Sequence, residues 1–273
     1  MDLRDQESRI ETFYDGYGAG REWGRFETPI GEVQLAVITE FLRRWALPPG
    51  RTLDVGSGPG RFALWLAEQG ANVTLLDISS AMLDAAQRQF AAHDLKADGF
   101  LHQSLFDLGD LDLGMFDVLL CLGGALNYYP DAMESGLRLL ARRLKPGGRL
   151  VGSVMSVVGG LSAALHTGWL PDASIGGEEL LGVYRTGRLT EHFSEHQAKM
   201  LRAEEVRALL AQSGLEILDL SATDCLMSLP QAQLAALKSR PEIYAALLQA
   251  EVDACRRSPD AGGHILFAAT RGA

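Results

Sequence analysis

Residues 52–62 read Thr-Leu-Asp-Val-Gly-Ser-Gly-Pro-Gly-Arg-Phe, a short apolar run that enters three glycines at alternate positions. Without Cβ atoms, Gly56, Gly58 and Gly60 let the backbone turn sharply and let a ligand approach the main chain closely. A loop of this kind, placed between a buried strand and a helix, forms a nucleotide-sized site at the C-terminal edge of an α/β sheet. Two better-known versions of the loop are excluded. The dinucleotide pattern G-x-G-x-x-G requires glycine where this chain has Arg61, and no G-K-[ST] triplet follows to form a phosphate loop.

The surrounding pattern agrees with an α/β sheet. Residues 33–46 carry apolar groups at helical spacing, and Pro48-Pro49-Gly50 ends that helix. Strands are predicted at about 51–56, 72–77, 99–103, 116–121 and 149–155, separated by helices over 62–69, from Ser79 or Ser80 to about 92, and over 131–144. Short apolar strands alternating with helices imply right-handed crossovers and a parallel, doubly wound sheet. The rhythm breaks after Ser156. A glycine-rich stretch over 157–196, with His166, Trp169, Tyr184, His192 and His196, is long enough to be a substrate-binding insert. Regularity returns with a helix at 202–213 and a strand at 215–221. A second helical insert at about 226–261 precedes a last strand at 264–270.

The form Asp54-Val-Gly-Ser-Gly-Pro-Gly60 resembles the first motif of the class I S-adenosylmethionine-dependent methyltransferases, of the small-molecule type. Asp77, which ends the second predicted strand, stands where a carboxylate accepts hydrogen bonds from ribose hydroxyls. The resemblance extends through His102-Gln-Ser-Leu-Phe-Asp107 and Cys121-Leu-Gly-Gly-Ala-Leu-Asn-Tyr-Tyr129, covering residues 50–155. It implies a Rossmann-like sheet of seven strands, mostly parallel with an antiparallel final strand. The core would span about 33–155 plus 202–225 and 262–271. A helical N-terminal lid (1–32) and cap inserts (about 156–200 and 226–261) would complete a single domain.

The implied cofactor is S-adenosyl-L-methionine. Its site would draw on Asp54, Gly56, Ser57, Gly58 and Gly60, on Asp77 for the ribose, and on Ile78 and Met82 beside the adenine. Ser104 and Leu105 would stand at the adenine edge, and Cys121 and Leu122 under the amino-acid part. Many relatives carry an acidic residue at the place of Ser104, so this position departs from the pattern; Asp107 is the alternative for its role. Upstream, Tyr14, Tyr17, Trp23 and Arg25 resemble the aromatic N-terminal segment that such enzymes fold over the cofactor. There Arg25 either pairs with the cofactor carboxylate or forms an internal salt bridge with Glu22 or Glu27. Candidate bases for an acidic acceptor are His192, Tyr128 and Tyr14, with His196 and His166 also in view. His192 and His196 share a face if their segment is helical.

The remaining features narrow the class of partner. The formal net charge of −10 argues against a nucleic-acid partner, because phosphate binding requires a basic face. The start, Met-Asp-Leu-Arg-Asp-Gln-Glu, is too charged for a signal peptide, and no apolar run is long enough to span a bilayer. Three scattered cysteines form neither a metal-ligand set nor a disulfide framework. A cytoplasmic, metal-independent enzyme acting on a small-molecule substrate is the resulting expectation, with monomer and homodimer both open. The rival readings are a non-catalytic binder of the same cofactor and another transferase using that cofactor or its decarboxylated form.

Overall fold

The computed structural model of the protein describes residues 2–167, 175–191 and 193–272. Seven strands form one sheet in the order β3-β2-β1-β4-β5-β7-β6. They are β1 (Arg51–Val55), β2 (Asn72–Asp77), β3 (Gly99–His102), β4 (Phe116–Cys121), β5 (Leu144–Met155), β6 (Leu215–Ala222) and β7 (His264–Arg271). β7 runs antiparallel to both β5 and β6, while the remaining pairings are parallel. The order reverses at β1 and β4, so the crevice outside their carboxyl ends is where a doubly wound sheet takes a ligand.

Helices cover both faces. The N-terminal region holds α1 (Leu3–Tyr17), α2 (Ala19–Gly24) and α3 (Pro29–Trp45), and the sheet crossovers hold α4 (Arg61–Glu68), α5 (Ser80–Ala92) and α6 (Met133–Arg143). Beyond β5 lie α7 (Val157–Thr167), α8 (Gly177–Thr186) and α9 (Ala203–Gln212), and then α10 (Gln231–Lys238) and α11 (Pro241–Arg257). One core layer joins the sheet to α6 and α9 through Phe116, Leu119, Leu137, Leu140, Val206 and Phe267. The opposite layer joins it to α3, α4 and α5 through Leu42, Leu66, Leu75, Phe90 and Leu120. The central strands are buried on both faces, which is why they read as near-continuous apolar runs.

Three regions differ from the sequence expectation. α3 begins at Pro29, earlier than 33, because the Thr28 hydroxyl accepts the Gly31 amide at 3.1 Å and proline occupies the first turn. β5 begins at Leu144, which pairs with Phe116 across an irregularity in the β4–β5 register. The glycine-rich stretch after Ser156 contains helices, α7 and α8, where little regularity was expected. Gly159 permits one of them, because a Cβ there would stand 1.8 Å from the Gly262 carbonyl oxygen.

The N-terminal helix α1 lies at the carboxyl edge of the sheet and is held there by polar contacts. Ser79 Oγ donates to Asp15 at 2.5 Å, Arg4 pairs with Asp107 at 2.7 Å, and Gln6 donates to the Tyr128 carbonyl. Its inward face therefore carries Gln6 and Glu7, both buried, beside Ile10. On the far side, buried Glu251 of α11 accepts the backbone amides of Cys225 and Met227 and ties the second insert to the end of β6.

Asn127 follows β4 in a short 3₁₀ turn (Ala125–Tyr128) and is fully buried. Its side chain donates to the Lys199 carbonyl at 2.6 Å and accepts the Met155 amide at 2.9 Å, joining three separate segments. Asn127→Ala strands both backbone partners, so equilibrium urea unfolding should show a loss of about 2–4 kcal/mol. A loss under about 0.5 kcal/mol would contradict this bracing role.

Candidate active site

The glycine loop leaves β1 and folds over the end of β2. Gly56 and Ser57 donate their amides to the Leu76 carbonyl at 2.8 and 3.2 Å. Gly58 donates its amide to Asp77 Oδ2 at 2.7 Å, and the other Asp77 oxygen accepts the Ser79 amide at 2.8 Å. Gly60 has φ +80°, and a Cβ there would stand 2.9 Å from that of Ala86, so both its conformation and its packing on α5 demand glycine. The α4 helix starts immediately afterwards, which turns its free amides toward the loop.

Beside the loop is a hollow of about 760 Å³. Gly56, Gly58, Asp77, Ile78, Met82, Leu105 and Leu122 line it from the sheet side, and Tyr14, Arg25 and Tyr128 line it from the N-terminal segment and the turn after β4. A second hollow of about 420 Å³ adjoins it, lined by Asp54 and Ser57 and sharing Glu22, Arg25 and Gly123 with the first. The structure thus gathers twelve of the sequence candidates around one continuous region.

Five candidates line neither hollow. Gly60 faces α5, as above. Ser104 is buried as the cap of a 3₁₀ turn (Leu105–Gly109): its hydroxyl accepts the Phe106 amide at 3.0 Å and donates to Glu7 of α1. Asp107, the alternative, closes the same turn by accepting the Ser104 amide at 3.1 Å and is paired with Arg4. Cys121 is fully buried at the end of β4, and burial pushes its thiol up to about 12. Trp23 lies under the Arg61 guanidinium, 3.8 Å from its ring centroid, and Tyr17 stacks on Phe13 and Arg21. His192, Trp169 and the side chain of His166 lie outside the described residues.

The structure also supplies residues the sequence did not single out. Gln103 and Ile10 line the larger hollow. Gln103 directly follows the end of β3 at His102 and reaches the hollow, whereas Ser104 beside it caps the turn that follows. Ile10 gave no signal because the inward face of α1 is mostly polar. Glu22 pairs with Arg25 at 3.3 Å, the internal salt bridge left open above, and their i,i+3 spacing carried that signal.

Electrostatics at the site follow from burial. Asp54 is pushed up to about 7 by desolvation and then by the charge of Asp77, with the Ala63 amide pulling it back. Desolvation also pushes Asp77 up to about 6 against the amides of Ser79 and Gly58. Tyr14 donates its hydroxyl to that of Tyr128 at 2.9 Å, and burial raises both phenols above the ordinary tyrosine value. Both therefore stay protonated at neutral pH and keep their hydrogen-bonding hydroxyls. Among the described residues, no group of three His, Cys, Asp or Glu side chains is placed to hold a metal ion. Nor is any described helix long and apolar enough to cross a membrane.

A reversed-order α/β sheet with a glycine loop, an acidic residue ending β2 and a hollow between them is the arrangement of doubly wound nucleotide-binding folds. Residues 52–148 match the family model described as a methyltransferase domain. The chain is 30% identical over 200 residues to the ubiquinone biosynthesis O-methyltransferase of Xanthomonas campestris pv. campestris, covering 73% of this chain and 75% of that one. It therefore belongs to the class I S-adenosylmethionine-dependent methyltransferases. Solved structures share the fold. Magnesium protoporphyrin IX methyltransferase from Synechocystis PCC 6803 with bound S-adenosylhomocysteine gives a TM-score of 0.62 at 19% identity, over 97% of this chain and 99% of that one. The 1,6-didemethyltoxoflavin-N1-methyltransferase of Burkholderia thailandensis gives 0.58 at 17%, over 98% and 87%.

The state of Asp54 has a consequence for stability. Its carboxyl binds its proton more tightly folded, at about 7, than unfolded, at about 3.9. The stability it contributes is present below about pH 4 and is lost as pH rises toward 7. Asp54→Asn should remove that component, so the unfolding free energy of wild type minus variant falls by about 3 kcal/mol between pH 4 and 7. Urea titrations at a series of pH values measure it; a flat difference would contradict the buried, protonated carboxyl.

Proposed function

We propose that this protein transfers the methyl group of S-adenosylmethionine to a small organic acceptor by in-line displacement, without a resident metal. The observation that carries the reading is the glycine loop stapled to Asp77 at the floor of a hollow of about 760 Å³. The names of the relatives support a small acceptor: ubiquinone biosynthesis O-methylation, a magnesium porphyrin and a toxoflavin precursor.

The residues present fit the cofactor. A Cβ on Gly58 would project toward Glu22, meeting only its Cγ at 3.9 Å, so the loop leaves its backbone open to a ligand. The Nε of Arg61, which lines the smaller hollow, is buried and has no hydrogen-bond partner among the described residues. In this reading Asp77 receives the ribose hydroxyls, and Ile78, Met82 and Leu105 flank the adenine. Gln103 serves the adenine edge in place of Ser104. Arg25 and Arg61 face the carboxylate of the amino-acid end, where guanidinium suits a bidentate contact.

When bound, the cofactor supplies an activated methyl group on a sulfonium. The protein's task is then to hold the acceptor in line, a positioning effect that can reach roughly 7–11 kcal/mol. Tyr14 and Tyr128 orient the acceptor, and α1 and α2 act as a lid that excludes water. The division into a sheet core, an N-terminal lid over 1–32 and two cap inserts belongs to the same proposal.

Calorimetry provides the test. One S-adenosylhomocysteine should bind per chain, NAD should not bind, and Asp77→Ala should weaken the former by about 10²-fold, as expected for a charged hydrogen-bond acceptor. Absence of binding by both S-adenosylmethionine and S-adenosylhomocysteine would overturn the reading.

A further inference from the structure

At the carboxyl end of β3, polar side chains follow in close order: His102, Gln103, Ser104 and Asp107. All but one are engaged. His102 Nε2 lies 2.8 Å from the Ile78 carbonyl oxygen and 3.1 Å from Glu11. Ser104 caps the next turn and donates to Glu7, and Asp107 is paired with Arg4. Gln103 is different. Its backbone amide donates to the Asp77 carbonyl at 3.1 Å, which fixes its place beside the end of β2. Its side-chain amide is exposed and has no hydrogen-bond partner among the described residues.

Gln103 and Ile78 also stand at a border. Both line the larger hollow, and both line a surface hollow of about 550 Å³ on the other side, toward Arg4 and Glu11. A ligand edge that reaches Gln103 from the larger hollow therefore meets an opening rather than a wall. Selection at that edge falls to hydrogen bonding and not to size. A primary amide presents a donor and an acceptor side by side, and an unpartnered one exchanges them by turning over. Adenine offers a 6-amino donor beside its acceptor N1. Hypoxanthine offers the reverse, a 6-oxo acceptor beside a protonated N1. A free amide matches either base. A carboxylate only accepts, so it would suit adenine and repel the 6-oxo oxygen. The nearby carboxylate and hydroxyl, Asp107 and Ser104, are spent on the turn and on α1.

We propose that Gln103 sets the base specificity of the nucleoside site and makes it permissive at the 6-position of the purine. The protein then accepts the 6-oxopurine counterpart of its adenosyl ligand nearly as well as the adenosyl ligand itself. This rests on the methyl-transfer reading above, with the purine against Ile78, Met82 and Leu105 of the larger hollow and its outer edge at Gln103.

The test uses the full chain as wild type, Gln103→Glu and Gln103→Leu. Each is titrated by calorimetry with S-adenosylhomocysteine and with S-inosylhomocysteine, its hypoxanthine counterpart. Because Gln103 is exposed, the melting temperatures of the unliganded proteins should agree, showing that both variants fold. For wild type the two dissociation constants should lie within about fivefold of each other, the scale of one hydrogen bond. Gln103→Glu should raise the ratio of the inosyl to the adenosyl constant by about tenfold or more, because its carboxylate faces the 6-oxo oxygen. Gln103→Leu removes the partner of both bases and should weaken both ligands alike, by roughly 2–10-fold. A merely structural side chain would move both ligands together in every variant, so the ratio is the readout that separates the two roles. Wild-type discrimination beyond about fivefold would overturn the permissive site. A ratio that does not rise in Gln103→Glu would overturn the role of Gln103. Failure of wild type to bind S-adenosylhomocysteine would instead overturn the methyl-transfer reading on which the proposal rests.

Discussion

The site depends on one carboxylate. Asp77 ends β2 and spends its two oxygens on two backbone amides, that of Gly58 in the glycine loop and that of Ser79 at the start of α5. Two chain segments are thereby fixed to the same strand end. The contact continues outward, because Ser79 Oγ caps α5 by accepting the Met82 amide at 3.2 Å and donates to Asp15 of α1. A single path of hydrogen bonds therefore runs from loop to strand to helix cap to the N-terminal helix. Desolvation penalises the charge of Asp77, and the amides that lower its pKa are the ones that shape the loop.

The opposite wall has a different construction. There the anchor is an amide side chain, Asn127, which is neutral and so avoids the desolvation cost of a buried ion. It brings the turn after β4, the end of β5 and the segment leading into α9 to one point. The two walls are thus built differently: a carboxylate that pins two backbone amides on one side, and hydrogen-bonded tyrosines with a neutral brace on the other. Glu251 does similar structural work for α11 but lies away from both hollows.

What was legible in the sequence was whatever the sheet dictates. Strand burial makes β2 and β4 read as apolar runs with the boundaries found, and the glycines mark the loop because their conformation and packing admit little else. Asp77 was legible because strand ends have a fixed place in this topology. The N-terminal helix was less so. α1 packs on polar loop atoms through Gln6, Glu7 and Asp15, so it lacks the apolar stripe by which a helix is recognised. Ser104 looked like a ligand contact by position, but the turn that follows takes its hydroxyl as a cap. Trp23, expected in the cofactor cover, packs under Arg61, a pairing across 38 residues that no local spacing reveals.

Amide hydrogen exchange in the presence and absence of S-adenosylhomocysteine tests the central claim most directly, because it reads the Asp77-centred assembly without any knowledge of the acceptor. Binding should slow exchange together at residues 56–60, at 77–82 and across 14–25, the three segments joined by the Gly58–Asp77–Ser79–Asp15 path. Protection confined to segments outside these three, with 56–60 unchanged, would contradict the account.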